Sequence, residues 1–213
     1  MDEQRDAVDF LSRPDSYGPA DVDIERIDTH SAVVFLVGDR VYKMKRAVDL
    51  GFLDFTTLEA RHRYCEREVA LNRRTAPTLY LGVSALTREA DGAIAFDGAG
   101  KPFEYVVVLR RFDQRYLLDR MAARGELDTS LMIALADRIA GFHDTAEVAA
   151  GEGAVAIRRT IEGNRESFAA LPEGMLDAAA VARLAGGIAC PLRGARRPAG
   201  PPRRRGPRPG LPR

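Results

Sequence analysis

The chain has no Trp and, in 213 residues, only two Cys, three His and three Lys. Each scarcity excludes something. Cys65 and Cys190 cannot build a disulfide framework, and neither stands in a metal-ligand spacing. No apolar run approaches the ~20 residues that a membrane-spanning helix needs. The opening MDEQRDAVDF is acidic and lacks the basic-then-apolar layout of a signal peptide. No membrane partner is expected, and the cytoplasm is the expected compartment. Three Lys against 29 Arg point to GC-rich coding.

Acidic residues are missing from one place in particular. Cys190–Arg213 holds eight Arg, seven Pro and four Gly, with no Asp, Glu, His or aromatic residue. Such a segment cannot bury apolar surface, and its prolines forbid helix and sheet ladders, so a disordered tail is expected. Removing its eight Arg from the net charge of +1 leaves residues 1–189 at −7. An acidic body disfavours nucleic acid as its partner.

What is present reads as α+β. With 46% hydrophobic residues there is enough apolar material for a sizeable core. Residues 2–12 suggest a short helix that stops before Pro14. Three β-prone runs follow, Ile24–Thr29, Ser31–Val37 and Arg40–Arg46, with Gly38-Asp39 as a tight turn. Thr56-Thr57-Leu58-Glu59 has a capping-box pattern opening a helix to about Arg74. Two more strands are expected over Leu79–Thr87 and Phe103–Phe112, joined by the hairpin ADGAIAFDGAGKP. Tyr105–Leu109 is an unbroken apolar run, as in a strand covered on both faces. Beyond it the pattern turns helical: Leu117–Arg124, Ser130–Val148, Val155–Leu171 and Met175–Leu184. Leu131, Leu135, Ile139 and Phe142 form one stripe of the second.

A helix, three strands, a helix, two strands and then helices is the layout of a protein-kinase small lobe followed by the start of a helical large lobe. The expected divisions are a lead-in (1–23), a five-stranded antiparallel small lobe (24–112), a partial helical lobe (113–189) and the tail (190–213). A nucleotide kinase needs a cation on the α/β-phosphates and a carboxylate that holds it in place. Lys43 on the third strand and Glu68 on the following helix supply that pair. Tyr64, Cys65, Leu71 and Asn72 surround Glu68 at helical spacing and turn it inward. Glu66, preceded by His62 and Arg63, reads as solvated. Lys45 shares a strand face with Lys43 by the period of two. Its place at the strand's fraying end beside Arg46 favours Lys43. Taken singly, a Lys and a Glu are most often surface residues.

The stretch Val33–Val83, with YKMKR, GFLDFTTLE and EREVALNRR, closely resembles a bacterial family of aminoglycoside-phosphotransferase-like kinases. In many members this domain precedes a second domain with a phosphate-binding loop. The resemblance continues through YVVVLRRFDQRYLL, ALADRIAGFH and, more weakly, IRRTIEGNRESF. It implies an ATP-dependent transfer to a small-molecule acceptor, with magnesium. By it, Lys43 binds phosphate and Glu68 is its partner. The backbone of Leu109 to Phe112, Arg111 included, is the adenine hinge, and Ser31 approaches the phosphates. The loop Asp28–Ala32 has no glycine, unlike that of protein kinases. His143 also matches the family, although a packing role is commoner for such a histidine. His30 and His62 read as a loop and a helix-surface residue, and Arg110 and Arg111 as exposed hinge arginines.

The family's His-Gly-Asp catalytic loop, whose Asp takes the acceptor's proton, and the Asn and Asp that hold magnesium are not in the sequence. No histidine follows His143 and no carboxylate side chain follows Asp177. The expectation is nucleotide binding without turnover. GC-rich codons in a wrong frame spell Arg, Pro, Gly and Ala, so the change near Ile188 predicts a frameshift. Translating the downstream DNA in the other two frames checks this, and finding no His-Gly-Asp loop there would reject it. The alternatives are a non-catalytic nucleotide-binding remnant, or an interaction protein whose basic tail binds RNA or an anionic surface. Apolar faces around Leu135, Ile139 and Phe142 are expected to be uncovered and to promote self-association.

Overall fold

The computed structural model describes residues 3–18, 22–147, 153–172, 174–177 and 179–184. It is α+β, built on a single six-stranded antiparallel sheet with helices. The chain divides into two compact units, Met1–Ala146 and Glu147–Arg213. The tail 190–213, expected to be disordered, lies outside the described residues, as does Cys190.

In the first unit, β1 (Ile24–Asp28), β2 (Ala32–Val37) and β3 (Arg40–Lys45) form a meander. Gly38 turns the chain between β2 and β3 at φ 54°, a left-handed conformation that costs glycine no Cβ clash. β4 (Tyr80–Arg88), β5 (Ile94–Phe96) and β6 (Lys101–Arg110) complete the sheet in the order β1-β2-β3-β6-β4-β5. The expected five strands are therefore six. The extra strand is Ile94-Ala95-Phe96, inside the segment read as a hairpin connection. Its three residues pair with Arg88, Thr87 and Leu86. A strand that short, flanked by Gly and Asp, offers no alternation long enough to recognise.

Two helices cover the sheet. The apolar side of α1 (Glu3–Leu11) places Ala7, Phe10 and Leu11 against Phe35, Met44, Val106 and Val108. α2 (Leu58–Asn72) sets Cys65 and Val69 on Val107 with Tyr80, Val83, Tyr105 and Leu109 around them. Val106, Val107 and Val108 are all buried, so β6 is covered on both faces as its apolar run implied. Full burial of side chains of this size is worth about 1.5–3 kcal/mol each, which makes β6 the centre of the core.

α2 does not begin as the capping-box pattern suggested. Thr57, not Thr56, is the N-cap, and its side chain accepts from the Ala60 amide at 3.1 Å. Thr56 is engaged instead with Asp54, which accepts from its amide and its hydroxyl. The next helices are α3 (Leu118–Ala123) and α4 (Thr129–Thr145). Asp128 caps α4 by accepting from the Leu131 amide at 2.7 Å. On the expected apolar stripe Leu131, Leu135 and Phe142 are half-buried, whereas Ile139 is 46% exposed.

The second unit contains α5 (Gly153–Ala169), with residues 179–184 also helical. The region 113–189, expected as one partial lobe, contributes α3 and α4 to the first unit and α5 to the second. None of the described helices is long and apolar enough to cross a membrane.

Candidate functional site

β3 pairs with β2 and with β6, the strand on which α2 packs. Alternation puts Tyr42 and Met44 on the α1 side of this strand, and Lys43 and Lys45 on the α2 side. From α2, Glu68 points back at both lysines. Lys43 Nζ donates to Oε1 at 2.8 Å and Lys45 Nζ to Oε2 at 2.7 Å. Burial pushes the Glu68 carboxyl up, but the hydrogen bonds from Lys43 and Lys45 outweigh it and hold the group below the usual carboxylate range. Glu66, two residues away, points outward, with 61% of its side chain exposed.

The lysines differ in surroundings. The Lys43 side chain is 34% exposed and that of Lys45 only 8%. Lys45 is thus not at a frayed end. Its ammonium lies 5.0 Å from the centroid of the Phe55 ring, and its carbonyl accepts from Gln4 Nε2 at 2.9 Å. The sequence reading set Lys45 aside because it closes the strand. α1, 41 residues away in the chain, supplies the support that the strand end lacks.

Lys43 and Glu68 are shared by two cavities. One, of about 290 Å³, is walled by Ile27, Val34, Leu36, Val41, Leu109 and Phe112 and is largely apolar. The other, of about 400 Å³, also takes in Ser31, Lys45, Arg67 and Asn72. Ser31 and Lys43 therefore border the same cavity. Leu109 and Phe112 lie at the far end of the apolar one, where β6 gives way to the next segment. Arg111 borders neither: its amide donates to the Asp39 carbonyl at 2.7 Å and its guanidinium meets Glu25 at 3.3 Å. The Arg110 amide is also engaged, with the Leu79 carbonyl at 2.8 Å. The Phe112 amide donates to no described residue.

A second polar cluster, which sequence reasoning missed, fixes α2 at its other end. Glu104 is fully buried and Arg61 is 4% exposed. Arg61 Nε donates to both Glu104 oxygens at 2.9 Å, and its Nη1 donates to the carbonyls of Phe55 and Thr56 at 3.1 Å. Gln4 joins this cluster to the lysines: Nε2 also donates to Glu104 at 2.7 Å, and Oε1 accepts from the Ala47 amide at 2.8 Å. One sequence signal was available. Glu104 is a charge set directly before the apolar run Tyr105–Leu109 of a doubly covered strand, and such a residue requires a partner.

The remaining candidates line neither cavity. His143 is exposed on α4 and His30 is exposed in its loop. His62 is half-buried and stacks on Tyr105 at 3.8 Å between ring centroids. Cys65 is fully buried, and burial pushes its thiol up to about 12, which removes it as a nucleophile. Among the described residues no three His, Cys, Asp or Glu side chains converge as a metal site would require.

Over 120 residues, 56% of its length, the chain is 39% identical to an uncharacterized protein of Mycobacterium bovis and, equally, to uncharacterized proteins from two strains of Mycobacterium tuberculosis. The chain spans 22% of the length of these relatives. No family model and no solved structure matches it.

Proposed function

We propose that the first unit is the nucleotide-binding lobe of a protein-kinase-like phosphotransferase of the aminoglycoside-kinase type. The observation that carries this reading is the Lys43–Glu68 ion pair between a central strand and its covering helix, at the junction of an apolar cleft and a cationic cavity. An adenine ring suits the apolar cleft, which Leu109 and Phe112 help to wall. Lys43 stands where the phosphates of a nucleotide so seated would arrive, and Ser31 borders that end. Arg111 is left out of the nucleotide contacts, because its amide and guanidinium are already engaged.

The sequence holds no His-Gly-Asp loop to take an acceptor's proton. The activity proposed for this polypeptide is therefore nucleotide binding, without phosphoryl transfer.

The test is thermal unfolding of the full chain with ATP or ADP, beside a Lys43→Met variant. A ligand at a hundred times its Kd stabilises the native state by about 2.7 kcal/mol. For a unit of this size that raises Tm by roughly 5–10 °C. The variant is expected to lose the shift. An unchanged Tm for the native chain at millimolar nucleotide would refute the proposal.

A further inference from the structure

One carboxylate here serves two ammonium groups, each on its own oxygen. An ordinary Lys–Glu pair presents a difficulty to an incoming phosphate. If the lysine turns to the phosphate, the glutamate is left as a buried charge without a partner, which is strongly unfavourable. In this chain the two lysines are placed unequally. Lys43 borders both cavities and is partly open to solvent. Lys45 is buried, sits over the Phe55 ring and has its backbone tied to Gln4. The cluster holds two cations against one anion, so a phosphate completes its charge balance.

We propose that Lys45 is a positioning residue that remains on Glu68, so that Lys43 can leave the carboxylate for a terminal phosphate of a nucleoside di- or triphosphate. This rests on the nucleotide-binding reading above. The charged and titratable groups that face Glu68 are Lys43 and Lys45 on β3, Tyr80 on β4 and Cys65 on α2, while Tyr64 and Arg67 of α2 line the same cavity. Of the basic groups among the described residues, Lys43 and Lys45 alone bond to the carboxylate. Without Lys45, nucleotide binding has to leave a bare Glu68 beside phosphate oxygens, or protonate it. Binding then takes up a proton and weakens as pH rises.

The experiment is calorimetric titration of the full chain with ADP at about pH 6 and pH 8 in buffers of different ionisation enthalpy. Native, Lys45→Met, Lys45→Arg and Lys43→Met proteins are compared. Relative to native, Lys45→Met is expected to raise Kd about tenfold at the higher pH and clearly less at the lower, with extra proton uptake. Lys45→Arg restores most of the affinity. The ionisation of ADP is common to all the proteins and cancels in the ratio.

A Lys45→Met protein with native affinity, or weakened by one factor at both pH values, overturns the proposal. The same holds if Lys45→Arg fails to rescue. A carboxyl NMR titration of Glu68 in Lys43→Met and in Lys43→Met/Lys45→Met needs no nucleotide. The carboxyl should titrate lower where Lys45 is present, and equal values in the two proteins overturn the role of Lys45. If the native chain binds no ADP, the nucleotide reading fails, and the release of Lys43 fails with it. That result is distinct from loss of affinity in Lys45→Met alone.

Discussion

Replacing Glu104 by Met tests whether the Arg61–Glu104 pair secures α2 to the sheet. Both side chains are almost inaccessible to water. Removing one member of such a pair costs about 3–5 kcal/mol, because the other charge stays buried. Arg61 would keep the carbonyls of Phe55 and Thr56, and Gln4 would keep that of Lys45. The lower end, about 3 kcal/mol, is therefore the expected loss. For a unit of this size that corresponds to a fall in Tm of roughly 10 °C. The chain has no Trp, so urea unfolding is followed by far-ultraviolet circular dichroism. The Arg61→Met/Glu104→Met double variant removes both charges and should return to within about 1 kcal/mol of native. A single variant that loses under about 1 kcal/mol would refute the argument, as would a double variant no better than the sum of the two singles.

Two other outcomes follow from the same interior. Cys65 should resist alkylation at about pH 8 in the native protein and react once urea unfolds it, as mapped by mass spectrometry; rapid native labelling at that residue would contradict its burial. Glu68 is held below its ordinary value in the folded state, so the stability it contributes is present above the unfolded value, about pH 4.3, and is lost as pH falls through the folded one. The stability gap between native protein and Glu68→Gln should therefore be full near neutrality and shrink in acid, and a gap constant from about pH 7 to pH 3 would disprove the linkage.

Much of the sheet was legible because its strands alternate cleanly or, in β6, run apolar without a break. Lys43 and Glu68 could be placed on facing elements because each has neighbours of known period. The remainder was hidden for identifiable reasons. β5 is three residues long. Thr56 and Thr57 are equally good caps on paper, and Asp54, by bonding Thr56, leaves the role to Thr57. Lys45 looked frayed because its support comes from α1. The Arg61–Glu104–Gln4 cluster joins positions 43 and 100 residues apart, a separation that no local pattern reports.

Gln4 has a practical consequence for anyone who trims this protein. A preparation begun at residue 22 would keep the six described strands with Lys43 and Lys45. It would nonetheless surrender the Lys45 carbonyl and the Ala47 amide to water. It would also strip Ala7, Phe10 and Leu11 from the core, so weak nucleotide affinity in such a shortened version would reflect lost support behind the strand and not a missing ligand group in front of it.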